Sequence, residues 1–312
     1  MNLEAYILGT GGTMPLPGRF LTSVLLRREG DLLLFDCGEG TQVALRRLGL
    51  RWKKISAIFI SHTHADHVTG LPGILMLSSQ VDRDTPLYIY GPPKIREYVE
   101  VNRKALDMYI NYEIIVREIP KPSLPDVVYS TEGYQVRAFP VPHSRTCYGY
   151  SVVEDPRPGL FHPEKARELG IPVGPLWGKL QAGEQIQLED GRSFSASDVM
   201  GPARKGRKFT FITDSLPDPG LVNEMRDADL LICEGMYQHA EADTAAEKRH
   251  MTGVQAAALA RDAGGVRQMG MVHFSPRYTK RDIQVIEDEA RAVFPAAFAG
   301  KDGMLVEIPY VD

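Results

Sequence analysis

Residues 61–67 read Ser61-His62-Thr63-His64-Ala65-Asp66-His67, three histidines and an aspartate directly behind the apolar, β-branched run Ile55–Ile60. The run predicts a short strand, and the polar residues fall where that strand must end. A turn there can aim His62 and His64 to one side and Asp66 and His67 at a second point a few ångströms away. Imidazole and carboxylate are suitable ligands for Zn²⁺ and related divalent ions. One short segment can therefore feed two adjacent metal positions. A solvated surface turn has no reason to hold three of the chain's eight histidines.

Two metals need more ligands, and three residues occupy the same kind of position. His143 in Pro142-His143-Ser144, Asp214 in Ile212-Thr213-Asp214-Ser215 and His273 in Val272-His273-Phe274 each follow an apolar run. As strand ends, these would project from one rim of a sheet. Taken singly, each is more often a polar residue with an ordinary hydrogen bond; taken with residues 62–67, they complete a ligand set. Asp214 is the natural bridge, because a carboxylate can share its two oxygens between two cations.

Around these residues, apolar runs at 3–8, 23–28, 31–36, 55–60, 87–90, 112–119, 134–140, 147–153, 208–213, 228–234, 268–272 and 304–308 predict strands. Helices are predicted at 42–48, about 71–79, 95–106, 253–263 and 280–293. Strands and helices mix in both halves, so the expectation is a layered α/β chain with helices outside sheets. Residues 154–192 differ, with Pro156, Pro158, Pro163, Pro172 and Pro175 among several glycines. Only a short helix at Pro163–Leu169, opened by proline, is predicted there. The stretch reads as an inserted, protruding arm in a single domain spanning 1–312.

Composition narrows the function classes. The 312 residues are 43% hydrophobic and 24% charged, as in a soluble globular chain. A net charge of −4 excludes a general polyanion-coating protein, so nucleic-acid contact would need local basic patches. Cys37, Cys147 and Cys233 form no C-x-x-C pair, which argues against a disulfide framework or a thiolate zinc site. A reducing, cytoplasmic setting is expected. The opening MNLEAYILGTGG lacks the features of a signal peptide, and no run of 18 apolar residues occurs, so no membrane partner is expected. There is no P-loop and no nucleophile elbow. Gly9–Thr13 is not a dinucleotide fingerprint either, since Met14 stands where the third small residue is needed.

With these residues in view, the chain resembles a known family. H-x-H-x-D-H followed by His, Asp and His at strand ends is similar to the metallo-β-lactamase superfamily. Within it, Leu8-Gly9-Thr10-Gly11-Gly12, Phe35-Asp36-Cys37-Gly38-Glu39-Gly40-Thr41-Gln42, Ser61–His67 and His273-Phe274-Ser275-Pro276-Arg277-Tyr278 resemble the short form of ribonuclease Z, the tRNA 3′-processing endonuclease. Gly174-Pro175-Leu176-Trp177-Gly178-Lys179-Leu180 and Leu188-Glu189-Asp190-Gly191 resemble that family's arm. The likeness runs from about residue 3 to about residue 309.

The resemblance implies a four-layer αββα sandwich. It implies two Zn²⁺ per subunit: one on His62, His64 and His143, the other on Asp66, His67 and His273, with Asp214 bridging. Mn²⁺ and Fe²⁺ accept the same ligand types. Catalytic parts are implied for Asp66 and for His250 in Arg249-His250-Met251-Thr252, the histidine protonating the leaving 3′-oxygen. Paired cations suit this chemistry, because they acidify a water and offset charge on phosphoryl oxygens. A histidine suits the proton transfer. The implied reaction removes the 3′ trailer from precursor tRNA, leaving a 3′-hydroxyl on the tRNA and a 5′-phosphate on the trailer. A homodimer is implied, one subunit's arm presenting tRNA to the other's site. For Asp36, orienting the ligands and turn chemistry are both open readings.

Two departures matter. The family more often has Gly-Asp-Thr at Thr213-Asp214-Ser215 and His-Glu-Ala-Thr at Cys233-Glu234-Gly235-Met236. The second loop is associated with handling the tRNA end. The alternative reading is therefore a diverged metallo-phosphodiesterase acting on another RNA or a small phosphodiester. A non-catalytic RNA-binding protein with structural metals is a third. Arg204, Lys205, Arg207, Lys208 and, in the arm, Lys179 are expected to contact phosphates. Arg46, Arg47, Arg51, Lys53 and Lys54 form a second, less well placed basic cluster. Trp177 is expected to pack within the arm.

Overall fold

Leu230-Leu231-Ile232-Cys233-Glu234 is buried throughout; Leu230 and Ile232 enter one apolar cluster, Leu231 and Cys233 another. A strand with two apolar faces must be covered on both sides. The computed structural model, which describes residues 2–81, 83–120 and 125–311, shows how. The strands are β1 (Leu3–Gly9), β2 (Ser23–Arg28), β3 (Asp31–Phe35), β4 (Ile55–Phe59), β5 (Leu87–Gly91), β6 (Ile114–Glu118), β7 (Asp126–Thr131), β8 (Tyr134–Val141), β9 (Cys147–Glu154), β10 (Ile186–Gln187), β11 (Ser193–Phe194), β12 (Lys208–Ile212), β13 (Leu230–Glu234), β14 (Met269–Val272), β15 (Ala297–Ala299) and β16 (Met304–Glu307). They build two seven-stranded sheets, ordered β16-β1-β2-β3-β4-β5-β6 and β15-β14-β13-β12-β9-β8-β7, and a small β10-β11 ribbon.

The inner faces of the two large sheets share one core. Phe35 lies at its centre, 5.2 Å from the Phe59 and Phe209 rings and 5.7 Å from Phe211. The outer face of the first sheet packs on helices Thr41–Arg47, Leu71–Ser79 and Ile95–Ala105. The outer face of the second packs on Gly253–Ala263 and Lys280–Val293. Both of those helices begin in reciprocal capping boxes, Thr252 with Gln255 and Thr279 with Asp282. The result is helix, sheet, sheet, helix, the expected four layers.

Direction matters more than layering for the site. Strands β3 to β6 run parallel, as do β12 to β15. Parallel strands put their carboxyl ends at one edge, and Asp36, Ser61-His62, Asp214 and His273 all follow such ends.

Some elements have no clear trace in the sequence. Strand β7 is the outermost of its sheet and mostly exposed or half-buried, so it lacks an apolar alternation. Helix Pro175–Gln181 carries Gly178 in its middle, which hides its periodicity.

Residues Glu154 to Gly206, joined by the C-terminal residues from Tyr310, form a separate compact unit. It extends past 192, where the sequence reading ended it. It also has a core of its own: Ala166, Ile171, Leu180, Ile186 and Val199, with Phe161 and Trp177 against it. These apolar residues stand singly between prolines and glycines, so they form no run that pattern reading detects. Trp177 does pack, its ring 5.1 Å from Phe161 and its Nε1 donating to the Ile171 carbonyl at 3.2 Å.

Phe35→Ala should cost about 3–5 kcal/mol, the usual range for emptying an aromatic site in a core. Denaturant titration should show a lower midpoint with an unchanged slope.

Candidate metal centre

The edge formed by the parallel strand ends gathers polar side chains on tight backbone. Three of them leave their strands through left-handed conformations: Asp36 (φ 52°), Asp214 (φ 40°) and His273 (φ 60°). Such geometry in non-glycine residues costs of order 1–3 kcal/mol each and concentrates at functional sites. Residues 65–68 form a single helical turn, which separates Asp66 and His67 from His62 and His64. Gly12 lies against the His273 ring; a Cβ there would stand 2.6 Å from its Cε1.

Hydrogen bonds decide which ring nitrogen each histidine presents. His67 Nδ1 donates to Asp36 Oδ2 at 2.7 Å. His143 Nδ1 donates to the Arg249 carbonyl at 3.0 Å. Ser61 Oγ donates to Asp36 Oδ2 at 2.8 Å, so at 3.1 Å it accepts from His62 Nδ1. In the neutral ring, each of these histidines then keeps its lone pair on Nε2. The inward nitrogens then converge: His62 Nε2 lies 2.7 Å from His64 Nδ1, which is 3.4 Å from His143 Nε2. On the other side, His67 Nε2 is 3.2 Å from His273 Nε2, which is 3.3 Å from Asp66 Oδ2.

Asp214 lies between the two groups and divides its oxygens. Oδ2 is 3.5 Å from His62 Nε2 and 3.9 Å from His143 Nε2. Oδ1 is 3.3 Å from His67 Nε2 and 3.2 Å from His273 Nε2. All seven residues read from the sequence as ligands are therefore brought together. His62, His64, His143 and Asp214 offer ligand atoms within 4.8 Å of one another, as do Asp66, His67 and His273.

The electrostatics fit divalent cations. Asp36 and Asp214 are buried and Asp66 is largely so, and among the described residues no lysine or arginine pairs with any of them. Asp214 Oδ1 and His273 Nδ1 are buried with no hydrogen-bond partner among the described residues. Burial holds His62 well below the usual histidine range, and it also lowers His64 and His143. Neutral imidazoles are the ligand form. Asp214 is held well below the usual carboxylate range: burial opposes this, and His273 and His67 outweigh it. Lone pairs facing one another across 2.7–3.4 Å, with carboxylate charge beside them, suit cations held between.

Two residues complete the surroundings. Asp36 Oδ1 also accepts from the Ser61 backbone N–H at 2.7 Å, so Asp36 does orient ligands. Glu234, whose role the sequence reading missed, is fully buried and accepts from the Ser215 backbone N–H through Oε1 and from His250 Nδ1 through Oε2, the latter at 3.0 Å. It ends β13, beside the ends carrying Asp214 and His273, and that position was the available signal. His250 stands 5.4 Å from both His143 and His273, ring to ring. Burial works to lower its pKa, but Glu234 outweighs burial and pushes it up to about 9.

The basic residues divide. Arg207 is buried, its guanidinium donating to the Ile308 carbonyl at 3.0 Å; this corrects its reading as a phosphate contact. Lys208 Nζ donates to the Arg226 carbonyl at 2.8 Å. Arg204 and Lys205 belong instead to the 154–206 unit, where Arg204 donates to the Pro158 carbonyl at 3.0 Å. Lys179 is exposed on helix Pro175–Gln181.

This layering, with histidines and aspartates at the strand ends, defines a metallo-β-lactamase-fold protein. The metallo-β-lactamase fold protein YhfI of Bacillus subtilis matches at TM-score 0.69 and 17% identity, covering 98% of this chain and 99% of its own. Human tRNase Z, short form, matches at TM-score 0.72 and 26% identity, covering 98% of this chain and 100% of its own. A family model described as Anti-Pycsar protein Apyc1 matches residues 3–155, a span that stops short of Asp214, Glu234, His250 and His273. Ribonuclease Z of Treponema denticola is 61% identical over 312 residues, the whole of both chains. Ribonuclease Z of Methanosarcina acetivorans is 41% identical over 308 residues, 99% of both. The chain belongs to the ribonuclease Z family.

Asp36→Asn should keep the left-handed backbone, which asparagine tolerates, while weakening the hold on His67 and Ser61. Metal affinity, measured by competition with a chromophoric chelator, should fall about 10- to 100-fold.

Proposed function

We propose that this protein is a divalent-metal-dependent endoribonuclease that removes the 3′ trailer from precursor tRNA. The observation that carries the reading is the pair of ligand sets joined by Asp214, with His250 held beside them by Glu234, in a chain of this family. His62, His64 and His143 would hold one ion and Asp66, His67 and His273 the other, with Asp214 between. Zn²⁺ suits nitrogen-rich sets of this kind, and Mn²⁺ and Fe²⁺ accept the same donors. Bound there, such ions supply Lewis acidity toward a phosphodiester and acidify water.

The chain's own residues do the rest. Asp36 and Ser61 hold the imidazoles in the tautomer that presents Nε2. The Thr13 backbone N–H donates to Asp66 Oδ2 at 2.6 Å and steadies that carboxylate. His250, kept protonated at neutral pH by Glu234, can pass a proton from Nε2 to the departing 3′-oxygen of the tRNA. The trailer then carries the 5′-phosphate. The departure at Cys233–Met236 favours a second reading, hydrolysis of a different phosphodiester. Glu234 lies in that same segment, however, and the support of His250 is kept.

Lys179, Arg204 and Lys205 in the 154–206 unit would add phosphate contacts that read no sequence, as an enzyme serving many tRNAs needs. A homodimer in which this unit serves the partner's site completes the reading.

Incubation with end-labelled precursor tRNA should give one cut near the discriminator base or after CCA, lost on chelation and in Asp214→Ala; no cut by the metal-loaded protein would refute the reading. Glu234→Gln should lower kcat about 10- to 100-fold with metal content unchanged. Val153 pairs with Lys208 across β9 and β12, so a tight Asn-Gly turn can replace residues 155–206. That variant should lose at least about 100-fold in kcat/KM on precursor tRNA while still hydrolysing bis(p-nitrophenyl) phosphate. Mixed with Asp214→Ala, it should regain cleavage if subunits share the work.

A further inference from the structure

A cleft of about 710 Å³ lies away from the metal ligands, lined by Arg46, Leu50, Arg51, Trp52, Lys53 and Val81. It falls on the basic cluster at 46–54, which the catalytic reading leaves unused. Three cationic side chains face one space in a chain whose net charge is −4. Arg46, at the end of helix Thr41–Arg47, suits the helix dipole; Arg51 and Lys53 lie beyond that helix, at and in the short helical turn Trp52–Lys54. Among the described residues, none of the three forms an ion pair.

Trp52 lines the same cleft, its half-buried ring packed on the helix-side core of the first sheet. The rim is held firmly, since the buried Arg83 guanidinium donates to the Lys53, Thr85 and Pro86 carbonyls at 2.7–2.8 Å. Lys54 N–H donates to the Arg51 carbonyl at 2.8 Å. The backbone that carries Arg51 and Lys53 is thus held in place.

The cleft is linked to the metal centre by cations and backbone. Helix Thr41–Arg47 starts just after the Asp36 turn and spans about 10 Å. Arg47 lies 5.3 Å over the Phe20 ring. Phe20 belongs to the segment in which Thr13 N–H holds Asp66 and Arg19 donates to the Tyr278 carbonyl at 2.9 Å. Three cations on one cleft suit a run of phosphates, whereas a single anion needs fewer of them.

We propose that the Arg46–Arg51–Trp52–Lys53 cleft is a second RNA contact on the catalytic body, which takes the substrate's backbone beyond the scissile bond. The arginines and Lys53 neutralise successive phosphates, and the half-buried Trp52 ring backs them against the core. The inference rests on the precursor-tRNA reading. The chemistry recognised, a phosphorylated nucleoside unit, could also arrive as a free nucleotide, which the test separates.

The test is steady-state cleavage of precursor tRNA by wild type, by the triple variant Arg46→Gln/Arg51→Gln/Lys53→Gln and by Trp52→Phe, with melting temperatures as the folding control. The triple variant should raise KM about tenfold or more, with kcat within about twofold. Its plot of log kcat/KM against log salt should be shallower by about 2, at roughly 0.7–0.9 for each phosphate that is no longer neutralised. Trp52→Phe keeps the packing and removes only the buried N–H; its KM should stay within about twofold of wild type, so that the charges carry the contact. If wild type cleaves and the triple variant keeps KM and salt slope, the RNA contact is refuted while the enzyme reading stands. If the variant instead loses binding of AMP with cleavage unmoved, the cleft serves a free nucleotide and the proposal is again refuted. If wild type neither binds nor cleaves precursor tRNA, both readings fall.

Discussion

The Asp36 carboxylate accepts three hydrogen bonds at 2.7–2.8 Å, from the Ser61 backbone, the Ser61 hydroxyl and His67. It is fully buried, so none of these bonds competes with water. One carboxylate therefore joins the ends of two parallel strands and sets the tautomer of His67 directly and that of His62 through Ser61. Remove it and a buried imidazole and a buried N–H lose their partners together, which is why its effect should reach the metal ligands rather than stay local.

The same logic repeats around the edge. Arg249's carbonyl holds His143, and Glu234 holds both His250 and the backbone beside Asp214. Behind the inward Nε2 of His62, His67 and His143 stands a partnered Nδ1. The layered core makes this possible: strained backbone at Asp36, Asp214 and His273 is held by sheets whose inner and outer faces are both packed. Cations are what the arrangement still asks for, since three carboxylates converge without a lysine or arginine among the described residues.

Much of this was legible beforehand, for identifiable reasons. His62, His64, Asp66 and His67 stand within one turn, so their proximity is covalent. His143, Asp214 and His273 could be added because each ends an apolar run, and parallel strands end at a common edge. Glu234 follows the same rule, but the altered residues beside it mask the signal. Arg207 was misread because charge in a linear string carries no burial, and its guanidinium turned out to anchor the Ile308 carbonyl. The 154–206 unit was underestimated because its small core comes from isolated residues such as Ala166, Ile171 and Val199.

By itself, the sequence determined what local bonding and periodicity control: the strands with two apolar faces, the capped helices, the ligand cluster at 61–67 and the family. Tertiary structure decided what depends on residues distant along the chain. It divided the two oxygens of Asp214 between two sets of imidazoles and joined Glu234 to His250. Those relations are set by sheet order and burial, and a linear pattern carries no distance between residues that only folding makes neighbours.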